Sequence, residues 1–82
     1  MSPDQADANP PRKLIAMANQ IATFFASQPG GTQAEQVADH INDFWDPRMR
    51  ARICAYAAAD GAGLEPLVLA AIPSIRVPEL QD

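Results

Sequence analysis

The chain has one cysteine and one histidine among its 82 residues, so little in it is suited to cross-linking or metal binding. Cys54 alone excludes an internal disulfide, and Cys54 with His40 falls short of a structural zinc site. Aromatics make up 6% of a composition that is 48% hydrophobic, so much of the apolar content is alanine. Alanine favours helix and close packing over a large core. No basic excess exists either: the net charge is −4, whereas nucleic-acid and anionic-membrane binders usually carry a basic patch that releases counterions. No apolar run has the length of about 18 residues that a bilayer span requires. The start, Met1-Ser2-Pro3-Asp4-Gln5, has neither the basic segment nor the apolar core of a secretion signal. With its unpaired thiol, the chain is expected in the cytoplasm. Phosphate loops, dinucleotide fingerprints and metal-ligand spacings are missing as well.

What is present reads as an all-α fold, a small bundle of three helices plus a short fourth. Residues 1–9 are polar and aperiodic and are expected to be a disordered lead, residues 10–72 a helical domain, and residues 73–82 an extended or disordered tail. Asn9-Pro10-Pro11 opens the first helix, which runs to about Ser27. Leu14, Met17, Ala18, Ile21, Phe24 and Phe25 share one stripe of it, and Asn19 lies opposite. Gln28-Pro29-Gly30-Gly31 breaks the helix. Thr32 and Glu35 have the spacing of a capping box and begin the second helix. Its apolar face carries Val37, Ala38, Ile41, Phe44 and Trp45, while Glu35, Asp39 and Asp43 stack on another face at intervals of four. Asp46 as cap and Pro47 at the first helical position start the third helix, which ends at the Gly61 turn. From Leu67 to Ile72 no polar side chain occurs, so the short fourth helix is expected to be apolar all round. Pro73 ends it, and Ser74 to Leu80 suits an extended arm laid on a partner.

A chain this short buries only about 60% of the surface it exposes when unfolded, which makes a partner protein the natural support. The corner Phe44-Trp45-Asp46-Pro47-Arg48-Met49-Arg50 sets an aromatic anchor beside a charged fork, as at the centre of many binding surfaces. Trp45, Arg48 and Arg50, followed by Leu67, Val68 and Leu69, are the expected partner contacts. Catalysis has poor material: His40 and Asp39 are adjacent on a helix and point about 100° apart, and Cys54 sits on a face of small residues with no histidine beside it. A helix-turn-helix reading would use Arg48, Arg50 and Arg52 on the third helix. Their steps of about 200° break the reading face.

Four blocks together, Lys13 to Phe25, Val37 to Ile41, Phe44 to Arg50 and Gly61 to Val68, resemble the delta subunit of cytoplasmic NAD-dependent, molybdenum-containing formate dehydrogenases. The Met-Ala-Asn-Gln-Ile-Ala and Phe-Trp-Asp-Pro-Arg-Met-Arg stretches carry most of that resemblance, over residues 13–72. It implies a noncatalytic accessory subunit that docks on and stabilises the molybdenum-containing catalytic (alpha) subunit. No cofactor would sit on this chain. The implied complex carries molybdenum bis-pterin guanine dinucleotide, iron-sulfur clusters, FMN and NAD on other subunits, where formate is oxidised to carbon dioxide. A transient maturation chaperone for the catalytic subunit or its cofactor insertion is the alternative. Neither implies contact with nucleic acid or membrane.

Overall fold

The Pro10-Pro11 pair, a helix-breaking Pro-Gly-Gly, an Asp-Pro corner and the turn from Gly61 to Pro66 punctuate the chain into four helices. The computed structural model describes residues 10–77. They form α1 (Arg12–Ala26), α2 (Gln33–Phe44), α3 (Pro47–Ala59), α4 (Pro66–Ala71) and a single 3₁₀ turn (Ile72–Ser74). The fold is all-α, and no strand occurs among the described residues. The lead at residues 1–9, with its proposed cap Asn9, and the end of the tail at 78–82 lie outside the described residues.

Local chemistry explains most of the boundaries. The Arg12 and Ile15 amides donate to the carbonyls of Pro10 and Pro11, so the proline pair leads into α1 without a side-chain cap. At α2 the start is where the Thr32-Glu35 spacing puts it, but the capping box does not form: Thr32 makes no side-chain cap bond. Gln36 Nε2 instead reaches Thr32 Oγ1 at 3.4 Å, and Gln33 Nε2 donates to the Gln28 carbonyl at 2.7 Å. Asp46 does cap α3, accepting from the Met49 amide at 2.8 Å, with Pro47 in the first turn. Gly61 at φ +76° ends α3 in the left-handed region, and its amide returns to the Tyr56 carbonyl.

The core lies where α1 and α4 lean on α2. Val37 and Ile41 of α2, Ile53 of α3 and Val68 of α4 are the largest fully buried side chains. Each contributes about 1.5–3 kcal/mol by leaving water. Ala18 and Ala22 on α1 and Ala71 on α4 are buried too, and their small size lets the helices approach closely. The fourth helix, apolar all round as expected, is covered on one side only: Val68 and Ala71 are buried, whereas Leu69 is 43% exposed and Ala70 faces water. One expectation changes here. Phe44, placed on the buried stripe of the second helix by periodicity, is 73% exposed.

Candidate functional site

Residues 44–50 hold two neighbours in opposite surroundings. Trp45 leaves the helical conformation as the chain turns into Asp46, and this swings its indole into the core, where it is 4% exposed. Phe44, the last helical residue of α2, keeps its ring outside.

Arg50, one turn into α3, points back across this corner. Its Nη1 donates to the Trp45 carbonyl at 2.6 Å and to the Asn42 carbonyl at 3.4 Å, while Nε donates to the Arg76 carbonyl at 2.6 Å. The first two acceptors belong to the end of α2, where carbonyls lack helical partners and the helix dipole is negative. A guanidinium there satisfies them and ties in the segment after the 3₁₀ turn at once.

Two asparagines then repeat one device. Asn19 of α1 donates from Nδ2 to the Gly63 carbonyl at 2.8 Å and accepts the Glu65 amide on Oδ1 at 2.9 Å. Asn42 of α2 donates to the Ser74 carbonyl at 3.1 Å and accepts the Arg76 amide at 2.7 Å. In each case a carboxamide pairs with the backbone on both sides of one residue, as a neighbouring strand would. The bracketed residue, Leu64 or Ile75, is driven into the core, with 7% and 6% of its surface left exposed. Sequence reading missed both roles. Asn19 is recognisable only as a polar position, because its partners lie 44 and 46 residues away.

Two adjoining hollows that share Gln20, Ile21 and His40 make a largely apolar groove between α1 and α2. Met17, Gln20, Ile21 and Phe24 line the α1 wall and His40 and Phe44 the other, with Trp45 and Met49 at one end. Its aromatic rings touch in series. Phe24 and Phe25 meet edge to face at 5.0 Å, Phe25 and His40 at 6.2 Å, and His40 lies tilted over Phe44 at 4.6 Å. Phe24 and Phe44 are nevertheless 60% and 73% exposed. These two rings, on adjacent helices, leave apolar surface facing water.

The remaining residues singled out by sequence are dispersed. Arg48 is exposed at the start of α3, Leu67 is half-buried and Leu69 exposed on α4, and Val68 and Trp45 are inside the core. Arg50 is half-buried, with its donors directed at backbone. Leu67 lines a second shallow hollow with Ala26, Gln33, Pro66 and Ala70, away from the corner. Cys54 is half-buried on α3, and burial pushes its thiol pKa up, partly offset by the positive charge of Arg50. His40 belongs to the aromatic series. Among the described residues, no group of three or more His, Cys, Asp or Glu side chains is placed to hold a metal, and no helix is long and apolar enough to cross a membrane. With one cysteine and one histidine in the whole chain, the donor set does not supply the four ligands of an iron-sulfur cluster.

The family described as the NADH-dependent formate dehydrogenase delta subunit, FdsD, matches residues 13–72, most of the chain and nearly all of the helical unit. No curated protein matches the chain.

Proposed function

The chain belongs to the delta-subunit family of NADH-dependent formate dehydrogenase, and on that premise we propose that it is a noncatalytic accessory subunit of the complex. It docks on the molybdenum-containing catalytic (alpha) subunit in the cytoplasm and stabilises it. Formate oxidation and NAD reduction take place on other subunits, which carry the molybdenum cofactor, iron-sulfur clusters and FMN. The observation that carries this reading is the exposure of Phe24 and Phe44 on a chain too short to hide them.

Arg48 and Leu69 stand at the surface and Leu67 is half-buried on α4; these are the members of the sequence-derived set available for contact. Trp45, Arg50 and Val68 act from beneath: they hold the corner and α4 in the shape that is presented. Engagement of Arg50 with backbone carbonyls also removes it from any helix-in-groove reading of DNA.

The test is reconstitution of the purified catalytic subunit with and without the chain. Stable co-elution at fixed stoichiometry and a longer thermal half-life of formate oxidation are expected. Absence of co-elution overturns the proposal. Co-elution only with cofactor-free catalytic subunit, and loss of the chain from mature enzyme, identifies a maturation chaperone instead.

A further inference from the structure

The groove between α1 and α2 has an unequal rim, and that asymmetry indicates what fills it. Its floor extends on α1 from Met17 to Phe24, seven residues or about 10 Å along a helix axis, and is apolar apart from the uncharged Gln20. An amphipathic helix laid in a groove presents anchors at i, i+3 or i+4, and i+7, the same two turns. On the α2 side, Asp39 and Asp43 are exposed on a stripe beside the one that carries His40 and Phe44. On the α1 side no charged residue occurs from Leu14 to Ala26. One flank is therefore acidic and the other neutral.

We infer that this groove receives an amphipathic helix of a partner subunit whose apolar face is bordered on one side by lysine or arginine. The inference rests on the docking function proposed above and deepens it by naming the surface and the occupant's chemistry. Phe24 and Phe44 supply the anchoring contacts, since large aromatic groups dominate the energetics of such surfaces. Asp39 and Asp43 set the direction in which the helix lies, because a reversed helix would set its basic flank over the uncharged α1 rim.

The experiment uses the full chain and the purified catalytic subunit as probe, with binding measured at low and high salt. Phe24→Ser with Phe44→Ser is expected to weaken binding at least about tenfold. Asp39→Lys with Asp43→Lys is expected to weaken it about fivefold at low salt and less at high salt. All four side chains are exposed, so circular dichroism of the same variants is expected to match the parent. A photo-crosslinker replacing Phe44 should mark a partner segment that has the i, i+3 or i+4, i+7 apolar pattern with basic residues on one flank. Parent binding that neither pair of substitutions alters overturns the groove assignment while leaving the docking function standing. Crosslinking to a second copy of this chain, or to an acidic segment, also overturns it. If the parent chain does not bind the subunit at all, the docking function itself fails.

Discussion

Arg50 donates to the Trp45 carbonyl at 2.6 Å, so the residue that begins to close the corner from α3 holds the backbone of the residue that closes α2. The same guanidinium reaches Arg76 at 2.6 Å, which makes it the joint between the α2-α3 corner and the chain beyond α4. Arg50→Ala removes hydrogen bonds to three carbonyls and is expected to cost about 1–3 kcal/mol. Arg50→Lys should recover only part of this, since an ammonium lacks the planar fork. Urea denaturation followed by circular dichroism measures both.

Asn42→Ala and Asn19→Ala leave a carbonyl and an amide without their side-chain partner, and each is expected to cost about 1–2 kcal/mol. Hydrogen exchange separates the two sites. The Arg76 amide should exchange faster in Asn42→Ala, and the Glu65 amide faster in Asn19→Ala. Asn42→Asp keeps an acceptor for Arg76 but loses the donor to Ser74, so the Arg76 amide should stay partly protected. Arg50→Ala combined with Asn42→Ala should be non-additive, because both side chains hold residues 74–76.

Phe44 and Trp45 should respond very unequally to truncation. Trp45→Ala opens a cavity in the core and is expected to destabilise the chain by about 3–5 kcal/mol. Phe44→Ser removes an exposed ring, with an expected change of about 0.5 kcal/mol or less. Thermal melts of the two variants decide the point.

The Cys54 thiol, raised by burial and held back by Arg50, should be slow to alkylate near neutral pH. Removing the Arg50 charge takes away what favours the thiolate, so in Arg50→Ala the thiol pKa should move further up. Because the folded pKa lies above the unfolded one, this group's stabilisation is complete below the unfolded pKa. It is lost as pH rises toward the folded value, in the alkaline range above the ordinary 9.0. Iodoacetamide kinetics against pH report the shift, and alkaline denaturation reports its sign.

Much of the fold was legible because it is written in local chemistry. The Asp46-Pro47 start, the Gly61 stop and the restart at Pro66 each depend on a side chain or backbone preference acting within a turn. Membership of the delta-subunit family was legible in the same blocks. The bracing was not. Asn19 and Asn42 act on backbone far away in sequence, and no periodicity announces a carboxamide that imitates a strand. Phe44 misled for a related reason: helical spacing puts it on the stripe with Ile41, but α2 unwinds at Trp45, and the indole takes the inward place. The Thr32-Glu35 spacing marked the correct start for α2, yet glutamine side chains do the bonding there. Of the docking set, the exposed members and the buried ones were indistinguishable before the corner's path was known.

Ile75, bracketed by the Asn42 carboxamide, lies three residues past the end of the span shared with the family. A fragment trimmed to that span would lose the plug that seals one end of its interior, and would expose apolar walls and solvate the freed Asn42. Homology here marks off a shorter stretch of polypeptide than the one that folds.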